Sequence, residues 1–381
     1  TGDMKYAKVE NEVGSTEFVG YLVDCAQAKI LAAIEGEGYT DIVLDRTPFY
    51  AECGGQVGDS GYIVNENLKA EVLTTFKVNH LFVHRCQVVN GEVKVGDYAF
   101  AQIDTARRAQ IRVHHTSAHL LQAALIKVLG DEVKQAGSQV EENRMRFDFT
   151  FSHAMTPQEV KKTEDIMNKW IGEKLPVNTD VMGIEEAKLT GATALFGEKY
   201  EDVVRVVSIG GKAKCNCGSD CSCDHESGEE KEVISKEFCA GTHASNTADL
   251  RLVKIVSEGA IAAGTRRIEA VVADAAIDYL NAKSAEIDKL ASRFKVHFDE
   301  VEARIEKLLE ENKELQKRIF IGQIKIAEKY NLPIVIHSRE ADFDTFDIVT
   351  KLKVKVPVDL HCYSGSYELA MRYIAKGIDI H

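Results

Sequence analysis

Apolar and polar positions change period several times along the chain, and each change marks an element. Residues 1–100 alternate in the strand manner, as in the runs Asp41-Ile-Val-Leu44 and Val72-Leu-Thr-Thr-Phe76. Turns at Gly54-Gly55, Gly58 and Asn90-Gly91 interrupt them, so a small antiparallel β-barrel is expected. From residue 106 to 129 the period becomes helical, placing Ile111, His115, His119, Leu120 and Ala123 on one side of a helix that stops at Gly130. Helical and strand segments then alternate to about residue 276, and residues 101–276 read as an α+β domain.

Residues 210–232 have a different character. They lack aromatic and branched aliphatic side chains, cannot bury themselves, and are expected to form an inserted loop. Over 277–319 apolar residues recur at steps of three and four: Ala291, Phe294, Phe298, Val301, Ile305, Leu308, Leu315 and Ile319, with Asn312 at the one missing seam position. That spacing predicts a coiled coil or a long helical hairpin, whose heptads either pair in cis or join two copies as a homodimer through the coiled coil. Residues 320–381 return to a β/α alternation, with a helix over 324–330 and apolar strands over 332–336 and 356–360. The fold class expected for the whole is α+β, ending in a partial β/α fragment.

Composition narrows the function. The chain has 381 residues, 45% of them hydrophobic, with a formal net charge of -13. Coating nucleic acid non-specifically depends on many Lys and Arg contacts to phosphate, so this balance argues against it. A local basic groove is still compatible, at Arg107, Arg108 and Arg112, at Arg144 and Arg146, at Lys161 and Lys162, or at Arg266 and Arg267; ordinary solvated charge is the alternative for each. No stretch approaches the roughly 20 apolar residues that span a bilayer, and no secretory signal is visible. A cytoplasmic protein with no membrane partner is expected. The start at Thr1-Gly2-Asp3-Met4 hints at a longer polypeptide.

Nine cysteines without an export signal point to metal or thiol chemistry. Cys215, Cys217, Cys221 and Cys223, followed by His225, crowd the insertion as a second metal site or as a plain acidic loop. His115 and His119, four apart on one helical face, can reach a single ion. Far downstream Cys239-Ala-Gly-Thr-His243 supplies a thiolate and an imidazole from one tight loop. This Cys/His₃ set suits zinc, with incidental core histidines and a structural cysteine as the alternative.

The motif His115-Thr-Ser-Ala-His119-Leu-Leu-Gln-Ala-Ala-Leu125 resembles the HxxxH helix of the alanyl-tRNA synthetase editing domain, and Cys239-Ala-Gly-Thr-His243 resembles its CxGTH loop. Three more stretches are similar to the same family in the same order: residues 47–61, residues 134–149 with Lys134-Gln-Ala-Gly-Ser-Gln-Val140, and residues 257–271. The resemblance covers residues 15–276. It implies zinc held by His115, His119, Cys239 and His243, an active-site glutamine at Gln135, and a Gly-Gly-Gln motif at Gly54, Gly55 and Gln56 that handles the acceptor end of tRNA(Ala) carrying the wrong amino acid. The implied activity is hydrolysis of mischarged Ser-tRNA(Ala) or Gly-tRNA(Ala) esters. Thr116, Ser117, Gln135 and Ser138 are candidate partners of the substrate, or simple helix and turn residues. Departures fall at Cys53, Ala240 and the Cys-rich insertion, and none removes a ligand.

Four protein ligands close a tetrahedral zinc, whereas a catalytic zinc keeps or gains an open position. The ion is therefore either a direct substrate contact or a lock on the pocket's shape. Nothing in the chain resembles the nucleotide-binding motifs of a class II aminoacylation domain, so charging of tRNA is not expected. Residues 320–381 resemble instead the middle of a TatD-type metal-dependent deoxyribonuclease, whose metal ligands would fall on His337 and His361. The HxH pair, the bridging Glu and the late Asp of that family are missing, and a (β/α)₈ barrel needs roughly 250 residues. Besides the deacylase, two other readings are a non-catalytic tRNA-binding fragment or fusion product and a DNase.

Overall fold

The structure, a computed structural model, describes residues 3–194, 200–214 and 230–381. Cys215, Cys217, Cys221, Cys223 and His225 lie outside the described residues. The chain divides into two units, Thr1–Asn281 and Ala282–His381.

The first unit opens with a correction. Residues that read as strand form helix α1 (Asp3–Val13). Tyr6, Val9 and Val13 recur at helical steps, and the helix lays them on Val43, Leu81 and Val83 of the barrel that follows. After β1 (Glu17–Phe18) come β2 (Cys25–Glu35), β3 (Thr40–Leu44), β4 (Arg46–Thr47), β5 (Gly61–Asn65), β6 (Leu68–Val78), β7 (Leu81–Gly91) and β8 (Tyr98–Ile103). β1 pairs in parallel with β4, and the remaining strands close an antiparallel barrel in the order β2-β3-β7-β6-β5-β8. Its interior is filled by Ile30, Ile42, Leu44, Phe49, Ile63 and Ile103.

Asp104 ends the barrel and starts α2 (Thr105–Leu129), its carboxylate accepting from the Arg107 N–H; Gly130, at φ +104°, ends the helix. Arg108, in the first turn, is 1% exposed. It pairs with Asp59 and donates to the carbonyls of Gly20 and Pro48 at 2.9 and 2.8 Å, which fastens α2 to the barrel. Then come β9 (Gln135–Val140), β10 (Met145–Thr150), α3 (Pro157–Gly172), β11 (Val177–Gly183), α4 (Ile184–Leu189), β12 (Val203–Gly211), β13 (Lys231–Phe238), β14 (Val253–Ala262) and β15 (Thr265–Val272). They form two sheets, β14-β15-β10-β9 and β11-β12-β13. Leu120, Phe147, Phe149, Trp170 and Ile268 lie in the core that joins α2 and α3 to the strands. The α+β class expected from the periodicity is the class observed.

The heptad run is not one helix. α5 (Asp274–Phe294) stops before Lys295, which takes a left-handed φ of +55°. A 3₁₀ turn, Phe298–Glu300, follows, capped by Glu300 accepting from the His297 N–H at 3.1 Å, and α6 (Val301–Tyr330) starts afresh. α6 also passes without a break through residue 320, where the β/α fragment was expected to begin. Ala291 and Val301 are buried, while Phe298, Ile305, Leu315 and Ile319 stay exposed. Beyond α6, β16 (Ile334–Ile336), α7 (Asp342–Leu352), β17 (Val358–Leu360), α8 (Tyr367–Ile374) and β18 (Asp379–Ile380) make a three-stranded parallel sheet with its own core around Ile324, Phe346, Leu360 and Tyr373. Among the described residues no helix is long and apolar enough to cross a membrane.

Candidate metal centre and its cleft

Helix periodicity brings His115 and His119 to one face of α2, their rings stacked 5.5 Å apart. The loop after β13 brings Cys239 and His243 to the same point, and one donor atom from each of the four side chains lies within 4.8 Å of the others. The Cys239 Sγ is 3.4 Å from the His115 Nε2 and 3.2 Å from the His243 Nε2. A tetrahedral ion with bonds of about 2.0–2.3 Å sets neighbouring donors about 3.4–3.6 Å apart, and these two separations are near that range.

Each imidazole is oriented from behind. The His115 Nδ1 meets the Gln56 Oε1 at 2.7 Å, the His119 Nδ1 meets the Glu237 Oε2 at 2.9 Å, and the His243 Nδ1 meets the Thr116 Oγ1 at 3.2 Å. Holding Nδ1 turns Nε2 toward the common point, as ligand-orienting contacts do around metals. The clearest mark is the His119 Nε2, which is buried and has no hydrogen-bond partner. Leaving such an atom unpaired costs about 1–3 kcal/mol, which a bound cation would relieve.

The loop can come this close because residue 241 has no side chain. A Cβ on Gly241 would stand 2.0 Å from the His115 Cε1. Gln56 also clamps the loop, accepting from the Thr242 N–H at 2.9 Å and donating through Nε2 to the Thr242 Oγ1 at 2.9 Å. Burial would raise the Cys239 thiol, but the neighbouring His115 and His243, with a hydrogen bond from His115, hold it well below the usual range. A thiolate is the form that binds metal. Burial opposes a charge on His119, yet the Glu237 carboxylate and Cys239 raise it well above an ordinary imidazole, whereas burial pushes His243 down to about 3.

A cleft of about 410 Å³ opens beside the cluster, lined by His115, His119 and Cys239 and also by Gln135, Ser138 and Gly54. Gln135, Ser138 and Gly54 thus line the cleft together with three of the four donor residues. The other expected site residues do not. Gln56 is fully buried behind His115, with both ends of its amide engaged by His115 and Thr242. Gly55, at φ +83°, packs so tightly that a Cβ would lie 2.5 Å from the Ser138 carbonyl oxygen. Thr116 is spent on His243 and the Ala244 N–H, and Ser117 donates to the His114 carbonyl inside its own helix. His337 and His361 are exposed in the second unit, and among the described residues only the Cys/His₃ set gathers as a metal group.

Glu237 escaped the sequence reading. Its one signal is its place two residues before Cys239, on the strand that delivers the loop. Neighbouring histidines can also mislead: His114, next to His115, turns away and accepts from the Val272 N–H at 3.2 Å as a structural core residue.

Comparison with known proteins adds lineage to this geometry. Residues 3–107 match the family described as tRNA synthetases class II (A), and residues 204–269 match the threonyl and alanyl tRNA synthetase second additional domain. Residues 304–380 match TatD related DNase. The chain is 42% identical over 321 residues to an alanine–tRNA ligase of Synechococcus sp. (strain JA-3-3Ab), an alignment covering 82% of this chain and 34% of that protein. It is 40% identical to the alanine–tRNA ligase of Nostoc punctiforme (84% and 35% covered) and 41% identical to that of Rhizobium meliloti (84% and 36%). The chain spans about a third of the length of these curated relatives.

Proposed function

Because most of the chain is similar to alanine–tRNA ligases, we propose that its Cys/His₃ centre binds zinc and that the adjoining cleft hydrolyses the ester of tRNA(Ala) mischarged with serine or glycine. The observation that carries this reading is the unpartnered, buried Nε2 of His119 at the meeting point of the four donors. When bound, zinc supplies positive charge beside the ester.

The ester is already activated, so the protein's task is placement. Water adds to the acyl carbon, the bond to the ribose oxygen breaks, and the water proton ends on that oxygen, releasing amino acid and intact tRNA. Gln135 and Ser138 lie where they can orient the water or the serine hydroxyl. A site that hydrogen-bonds a hydroxyl rejects a substrate lacking it, because its own polar groups would be left unpaired. The hydroxyl separates serine from alanine in this way, whereas glycine, which also lacks it, differs from alanine only by the missing methyl group. The metal either touches the substrate or only fixes the pocket's shape. The apolar positions left open on α6, Ile305, Leu315 and Ile319, support pairing with a second copy.

The test is serine release from seryl-tRNA(Ala) by the intact chain, with alanyl-tRNA(Ala) in parallel and a chelator as control. Release of serine but not alanine, abolished by the chelator and restored by zinc, is expected. A zinc-loaded chain that releases neither would refute the reading.

A further inference from the structure

The loop that carries Cys239 and His243 is a wall with two sides. Cys239, Ala240 and Gly241 line the first cleft; Thr242, His243 and Ala244 line a second, of about 590 Å³, on the first unit. Arg205 of β12 lines both, and Arg112 of α2 lines the second only.

These two guanidinium groups are anomalous in one respect. Arg85, Arg108, Arg266 and Arg267 each meet a carboxylate, in Asp41, Asp59, Glu258 and Asp148. The Arg112 side chain, half-buried, has no hydrogen bond or ion pair with any described residue. The Arg205 guanidinium carbon sits over the Tyr21 ring, 3.4 Å from its centroid, and the buried Nε has no acceptor. Tyr21 is held in place by its hydroxyl, which donates to the Ala240 carbonyl. Arg146 also has an unmet Nε but lines neither cleft.

The acids nearby do not fill the gap. Asp24 and Asp59 attract Arg112 without bonding it, and Asp59 is already taken by Arg108. Asp274 pairs with Arg251, and Asp249 caps the 3₁₀ turn Thr247–Leu250. Burial disfavours the charge on both Arg112 and Arg205. A half-buried cation without a partner is costly, and arginine forks match the paired oxygens of a phosphate.

We propose that Arg112 and Arg205 form a phosphodiester site, occupied by the RNA backbone that leads to the esterified ribose. This rests on the deacylase reading for the identity of the RNA, and Arg205, shared by the two clefts, couples the backbone site to the ester site. The two guanidinium groups gain the acceptors that the protein denies them, and the wall between the clefts sets the register of the terminal nucleotide.

The experiment titrates the intact, zinc-loaded chain with an uncharged RNA hairpin ending in single-stranded CCA, across a range of salt. Arg112→Gln and Arg205→Gln are each expected to weaken binding about tenfold and to flatten the log–log salt dependence by about 0.7–0.9. Arg112→Lys, which keeps the charge, should recover most of the affinity. Zinc content and thermal midpoint serve as folding controls. As a measurement free of variants, inorganic phosphate should displace the hairpin from the wild-type chain more strongly than chloride of equal ionic strength. Wild-type affinity and slope in a folded Arg112→Gln chain, or phosphate no better than chloride, would overturn the proposal. Because the hairpin carries no amino acid, the outcomes separate: serine release with unchanged binding by Arg112→Gln overturns this site alone, whereas arginine-dependent binding without serine release overturns the deacylase alone.

Discussion

Two pairs of histidines in this chain look alike as letters and differ in every physical respect. His115 and His119 are buried, share a focus with Cys239 and His243, and each has its Nδ1 fixed by a side chain from elsewhere in the fold. His337 and His361 are exposed, and neither side chain has a hydrogen bond or ion pair with a described residue. The first pair is held so that both rings face one spot; the second is held by no described side chain. What sets the Cys/His₃ group apart is thus less the identity of its donors than the groups that hold them and the burial around them.

The comparison breaks most sharply at the ligands. His119→Ala is expected to abolish zinc retention at that centre and to reduce serine release by at least about 100-fold, read by metal analysis and a deacylation time course. A smaller loss would mean that the four donors do not act as one site. Next comes the joint that seats α2. Asp59→Ala leaves Arg108 charged, buried and unpaired, and should destabilise the first unit by about 3–5 kcal/mol in urea unfolding. An unchanged midpoint would show that the barrel and helix do not depend on this pair.

Glu237→Gln tests the outer layer. It keeps the shape of the side chain but weakens its hold on the His119 Nδ1, and a drop in zinc affinity of about 10–100-fold is expected from a chelator competition. The smallest effect belongs to the other pair: His337→Ala with His361→Ala should leave zinc content and deacylation unaltered and shift stability by less than about 0.5 kcal/mol. A fall in bound zinc there would erase the contrast.

The four donors that the fold gathers could be picked out because each half of the set is local. The i, i+4 step of His115 and His119 and the short Cys239-to-His243 loop are visible in a linear string. What orients them is not, since Gln56 reaches His115 across 59 positions and Thr242 across 186. A polar residue in a Gly-Gly-Gln turn reads as a surface contact until the fold buries it. The barrel and the α+β class followed from period and turns, whereas α1 was hidden by a short segment whose helical apolar spacing sits just before a long strand region. The break at Lys295 left no mark in the heptads, because the seam spacing runs straight through a single left-handed residue.

The most direct test is X-ray absorption at the zinc edge on the intact chain loaded with one equivalent of zinc. Three nitrogen neighbours at about 2.0–2.1 Å and one sulfur at about 2.3 Å are predicted. A shell made only of sulfur, which would put the ion in the cysteine-rich insertion, or one without any sulfur, would contradict the assignment of His115, His119, Cys239 and His243.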